Sequence, residues 1–111
     1  MIEIKAIIQP RKLDKVREAL GAVPGFPGMT ITRAEGCGPA EDRAGHELGL
    51  REQLTDFSAK IRLEILAPDD LAETLATLIH QVAHTGHPGD GIVWLTAVQR
   101  FERIRHNLDG A

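Results

Sequence analysis

Four stretches of strand-like alternation and two of helical spacing, in the order β-α-β-β-α-β, predict an α+β domain. That order places a four-stranded antiparallel sheet under two helices on one face, the ferredoxin-like βαββαβ arrangement. The composition agrees with one small domain. The 111 residues include no Tyr, one Trp and three Phe, so the core is expected to be aliphatic.

The first strand is IEIKAII, residues 2–8. Ile2, Ile4, Ala6 and Ile8 fall on one face, with Glu3 and Lys5 on the other. Gln9-Pro10 ends it, because proline cannot donate to a ladder. In RKLDKVREALGAV, Leu13, Val16, Leu20 and Val23 recur at helical spacing with charges between them. Gly21 weakens the end of that helix, and Pro24-Gly25 closes it. After the connector PGFPG, MTITRAEG predicts the second strand, with β-branched residues at 30, 31 and 32.

From Gly36 to Ser58 the pattern disappears. This charged, Gly-rich stretch reads as a loop of about 20 residues, and loops beyond about 12–15 residues in compact domains are usually functional or disordered. KIRLEILA then predicts the third strand, with Ile61, Leu63 and Ile65 opposite Lys60, Arg62 and Glu64. Asp69 and Asp70 stand where a helix N-cap belongs, and Asp70 with Glu73 fits a capping box. Leu71, Leu75, Leu78 and Val82 are the expected buried stripe of the second helix, which should end at Thr85-Gly86. HPGDG is a shorter glycine loop, and IVWLTAV is the fourth strand.

Charge narrows the function classes. Lys+Arg total 13 against Asp+Glu 16, a formal net charge of −3, which lacks the basic footprint of sequence-independent nucleic-acid binding. No stretch approaches the ~18 apolar residues of a membrane span, so no membrane insertion is expected. One Cys excludes an intramolecular disulfide. With no signal-peptide pattern at the start, the expectation is a cytoplasmic protein. The sparse aromatic content favours an oligomer, whose contacts supply burial that one short chain lacks.

Two features carry chemistry. Gly86, Gly89 and Gly91 can adopt backbone angles closed to other residues and let a loop approach a phosphate through its N–H groups. Arg103 and Arg105 are two apart, so an extended segment turns both to one side, and guanidinium groups suit bidentate phosphate contacts. By spacing alone the same residues also fit a turn followed by two solvated arginines.

Several stretches, in order, resemble the PII family of signal-transduction proteins. They are IKAIIQPRKLDKVREAL, GMTITRAEGCG, KIRLEILAPDDL, TGHPGDGIVWL and ERIRH. The resemblance implies a ferredoxin-like subunit in a homotrimer, with a T-loop at about 37–58, a B-loop at 85–91 and a C-terminal segment at 99–111. It implies ATP, ADP or AMP in clefts between subunits. It also implies a T-loop that docks on a target protein: an enzyme, a regulator or a membrane transporter. Members act as sensors rather than turnover enzymes.

Carried over residue by residue, the adenine and ribose contacts fall on Thr30, Gly36, Gly38, Glu64, Ile65 and Leu66, with Cys37 between the two glycines. Phosphate contacts fall on the Gly86 loop, Gly89, Asp90, Gly91, Arg103 and Arg105, and Ile8 is expected to line the cleft. Lys60 matches the lysine used toward 2-oxoglutarate.

The departures have consequences. The family's Arg-Gln after the loop glycines is Pro39-Ala40 here, and alanine offers no oxygen to magnesium or 2-oxoglutarate. Magnesium and the 2-oxoglutarate response are therefore left open. His87 and Ile92 replace two B-loop lysines, which should weaken triphosphate binding more than diphosphate or monophosphate binding. The absent tyrosine excludes uridylylation of a T-loop tyrosine.

Other readings stay beside this one. The phrasing AHTGHPGDG and the Pro-Gly before strand two are similar to a branch that accompanies heavy-metal efflux systems. His80, His84 and His87, spaced four and three apart, are candidate metal ligands, although exposed histidines also suit a helix C-terminus. A small anion such as bicarbonate is a further candidate ligand. Cys37 has no local cation to activate its thiol. His46 with Glu41, Asp42 and Glu47 reads as a solvated loop, and no nucleophile motif accompanies it.

Overall fold

The computed structural model describes residues 1–38 and 57–108. It contains strands β1 (Ile2–Ile8), β2 (Thr30–Gly36), β3 (Ser58–Ala67) and β4 (Gly91–Ala97), with helices α1 (Leu13–Gly21) and α2 (Asp69–Ala83). A short 3-10 turn, Pro10–Lys12, leads into α1. The four strands form one sheet in the order β2-β3-β1-β4, with antiparallel neighbours throughout. This is the expected ferredoxin-like arrangement. Residues 39–56, which hold most of the expected T-loop, and residues 109–111 lie outside the described residues.

The alternation of the strands decides which face the helices cover. Ile4, Ala6 and Ile8 of β1 and Ile61, Leu63, Ile65 and Ala67 of β3 are buried in one aliphatic core with Val16 and Leu20 of α1. From α2 the core receives Ala72, Leu75, Ala76, Ile79 and Ala83. This corrects the expected stripe: of its four residues only Leu75 is fully buried, while Leu71, Leu78 and Val82 pack at its flank. Three alanines share the buried line with Leu75 and Ile79, where small side chains let the helix pack closely, and Leu71, Leu78 and Val82 fill its edges.

The expected capping box does not form. Pro68 is the N-cap of α2, and no side chain caps the helix. Asp69 and Asp70 instead occupy its first turn, where a carboxylate suits the positive end of the helix dipole. Asp69 pairs with the Met1 ammonium, tying the start of β1 to the start of α2. At the other end α2 stops at Ala83, before the expected Thr85-Gly86, with His84 as its C-cap.

Among the described residues, no helix covers the opposite, bare face of the sheet. The register aligns Lys5 with Trp94 and Glu64, and Ile7 with Ile92 and Arg62. Trp94 and Leu66 are each 39% exposed and Ile92 is 63% exposed. The charges among them pair within the chain: Lys5 lies 3.7 Å from Glu3, and Arg62 lies 3.5 Å from Glu64.

Candidate functional site

Three strand ends and one loop meet at one end of the sheet. The register opposes Ile8 to Ile61 and to Gly91, Ala34 to Lys60, and Gly36 to Ser58. The end of β1, the end of β2, the start of β3 and the loop before β4 therefore converge. Gln9, one residue past β1, donates its side-chain amide to the Gly89 carbonyl at 2.6 Å. Lys60 donates to the same carbonyl at 3.1 Å.

Backbone geometry shapes the loop. Gly86 and Gly89 both have φ +88° and Gly91 has φ +116°, angles that side-chain-bearing residues rarely adopt. Asp90 closes the loop from inside. Its carboxylate accepts the Thr85 hydroxyl, the Thr85 N–H at 2.6 Å and the Gly86 N–H at 2.9 Å. His84 Nδ1 lies 3.9 Å from the same carboxylate. The Thr85 hydroxyl and then the Thr85 N–H, with smaller help from Gly86 and His84, lower the Asp90 pKa from 3.8 to about 2, against a partial opposing effect of desolvation.

These bonds redistribute the expected phosphate contacts. The Thr85 and Gly86 N–H groups are spent on Asp90, and the His87 N–H donates to the Thr85 hydroxyl at 3.2 Å. Pro88 has no N–H. Among the described residues, the loop N–H groups before β4 that have no partner are those of Gly89 and Asp90. Asp90 is thus a clamp by its side chain and a candidate anion donor only by its backbone.

The remaining expected residues separate into groups. Gly36, Cys37, Gly38 and Lys60 lie at the loop end of the sheet, and Cys37 is exposed. Thr30 and Glu64 are register partners on the bare face, four residues along β3 from Lys60, or about 13 Å. Leu66 shares that face, whereas Ile65 is 1% exposed on the helix side and offers the bare face only its backbone. In the single chain the Ile8 side chain is 2% exposed in the helix-side core and lines a cleft of about 320 Å³ with Ile79, Ala83, His80 and His84.

Arg103 and Arg105 are not in an extended segment. The chain turns there, with the His106 N–H donating to the Arg103 carbonyl at 3.0 Å. The Arg103 guanidinium stacks 5.4 Å from the Phe101 ring centroid, and Arg105 Nε donates to His106 Nε2 at 3.2 Å. Among the described residues, no hydrogen bond joins either arginine to the Gly89 loop. Of the three histidines, only His80 is in α2. Its ring centroid is 5.8 Å from that of His84, and His87 is in the turn beyond. Among the described residues, no three His, Cys, Asp or Glu side chains are grouped to hold a metal ion.

Gln9 escaped the sequence reading, where it served only to end a strand. The signal available was its place between β1 and a proline, which fixes it at the sheet end.

The family model described as Nitrogen regulatory protein P-II matches residues 1–107. The chain is 42% identical over 110 residues to the Nitrogen regulatory protein P-II of Azospirillum brasilense, covering 99% of this chain and 96% of the relative. It is 43% identical over 105 residues to the Nitrogen regulatory protein P-II 1 of Escherichia coli strain K12, covering 95% and 92%. Against the Nitrogen regulatory protein P-II of Bradyrhizobium diazoefficiens it is 40% identical over 110 residues, covering 99% and 96%. Among the described residues no helix is long and apolar enough to cross a membrane. A family match across nearly the whole chain, on a sheet with the matching element order, makes this protein a member of the P-II family of regulatory signalling proteins.

Proposed function

We propose that this chain works in the cytoplasm as a homotrimeric sensor that binds an adenine nucleotide between subunits and regulates a partner protein through residues 37–58. The observation that carries the reading is the convergence of Lys60, Gly36 and the Gly89–Asp90–Gly91 backbone at one sheet end. A cation beside free backbone N–H groups in a glycine loop is an anion cradle. Thr30, Glu64 and Leu66 lie elsewhere on the bare face, and Arg103 and Arg105 lie in the tail. Joining these groups around one ligand needs a second copy of the chain. The bare face suits that copy, because its apolar residues are exposed while its charges are already paired.

The site's parts bind and orient; none is arranged as a nucleophile with a base. The reading is therefore a regulator, with the ligand state transmitted through the loop after Gly36. The test is isothermal titration with ATP, ADP and AMP, each with and without magnesium and 2-oxoglutarate. ADP or AMP is expected to bind at least as tightly as ATP, since His87 and Ile92 provide no fixed cation for a third phosphate. Arg103→Ala and Arg105→Ala should each weaken binding about 10-fold or more while the assembly persists. Absence of binding at millimolar nucleotide overturns the reading.

A further inference from the structure

We propose that Gln9 is a positioning residue for the glycine loop: it fixes the Gly89–Asp90 peptide so that the Asp90 N–H points away from Gln9 and Lys60 and toward a bound phosphate, and it keeps the Gly89 carbonyl paired when the flexible Lys60 side chain turns to that anion. The inference rests on the nucleotide reading above for the identity of the ligand. Its geometry stands apart from that reading.

The Gly89 carbonyl has two lone pairs and receives two donors, the Gln9 amide at 2.6 Å and the Lys60 ammonium at 3.1 Å. The two donors differ in what else they can do. Gln9 is held at the end of β1 immediately before Pro10, whose ring fixes its own φ. A Cβ on Gly89 would stand 3.3 Å from Gln9 Nε2, so the loop backbone rests directly on that amide. Lys60 has a long flexible stem and a point charge that an incoming anion attracts. When Lys60 turns to an anion, Gln9 still satisfies the partly buried carbonyl, so it is not left without a partner.

The peptide plane carries this effect to the ligand. In a planar trans peptide the N–H points opposite to the C=O. With the Gly89 oxygen drawn onto Gln9 and Lys60, the Asp90 N–H is turned away from both. The Asp90 carboxylate meanwhile holds Thr85 and Gly86 on the inner side. The clamp and the Gln9 bond thus fix the same residue from its side chain and from its backbone.

The experiment compares Gln9→Met, Lys60→Met and the double variant. Methionine keeps the volume and removes the donor. Each protein is measured ligand-free by amide hydrogen exchange over residues 85–91 and by melting temperature, then titrated with ADP. Gln9→Met is expected to speed exchange at Thr85, Gly86 and His87, the hydrogen-bonded N–H groups of the loop, at an unchanged melting temperature. ADP affinity should fall about 3- to 10-fold, the worth of one hydrogen bond. The double variant should lose more than the sum of the two single losses, because the donors share one carbonyl.

Wild-type exchange and affinity in Gln9→Met overturn the proposal. Faster exchange throughout the sheet with a lower melting temperature also overturns it, since Gln9 would then serve general stability. If the unsubstituted protein fails to bind ADP, the nucleotide reading falls, and the exchange data alone decide whether Gln9 fixes the loop.

Discussion

Gly91 stands against Ile7 with no room for a side chain between them. A Cβ built on Gly91 would lie 1.8 Å from the Ile7 carbonyl oxygen, and Gly91 itself has φ +116°. Gly91→Ala should therefore destabilise the fold through both the dihedral and the clash. The dihedral alone costs on the order of 1–3 kcal/mol. A urea denaturation midpoint at the wild-type value would refute this; Gly21→Ala, with nothing within 4 Å of its built Cβ, serves as the tolerated control.

Asp90 should make stability depend on pH at the acid end. Its folded pKa is about 2 against an ordinary 3.8, so the folded state favours the carboxylate. A lowered folded pKa contributes stability that is fully present above about pH 4 and lost as the pH falls toward 2. Asp90→Asn should accordingly be less stable than wild type at neutral pH, with the gap closing between pH 4 and pH 2. Parallel denaturation curves at pH 7 and pH 2.5 measure the gap; a gap of constant size counts against the clamp.

The rotation of α2 predicts unequal costs for two leucines. Leu75 has 0% exposure in the core, while Leu78 is only partly buried at its flank. Leu75→Ala should cost about 2–5 kcal/mol, as core truncations do, and Leu78→Ala clearly less. Equal costs by chemical denaturation would restore the leucine stripe that periodicity suggested.

The bare sheet face is the surface proposed for subunit contact. Trp94 is 39% exposed there, opposite Lys5 on β1. Trp94→Arg introduces a second cation beside Lys5 and should dissociate the proposed homotrimer, measured as molar mass by light scattering. An assembly of unchanged mass in that variant would show that subunits meet elsewhere.

The strands were legible because a period of two leaves a plain record. Ile61, Leu63 and Ile65 alternate with Lys60, Arg62 and Glu64, and the two sets occupy opposite faces. Helix existence was equally plain, but its rotation was not. Leu71 and Leu78 lie at the flank while Ala72, Ala76 and Ala83 share the buried line with Leu75 and Ile79, a division that hydrophobicity alone does not assign. The caps failed for a related reason: Asp70 and Glu73 have the capping-box spacing, yet Pro68 is the N-cap and Asp69 is taken by the Met1 ammonium from a distant part of the chain.

By itself the sequence determined the element order, the aliphatic core and the glycine positions of the loop before β4, because each follows from local spacing or from the backbone freedom of glycine. Only the tertiary structure decided that Gln9 and Lys60 share the Gly89 carbonyl, that Asp90 faces inward as a clamp, and that Arg103 and Arg105 stand apart from the loop in a single chain. The physical reason is distance along the chain. The Gln9 contact spans 80 residues and the Lys60 contact 29, and such contacts depend on strand register and loop direction, which no local pattern records.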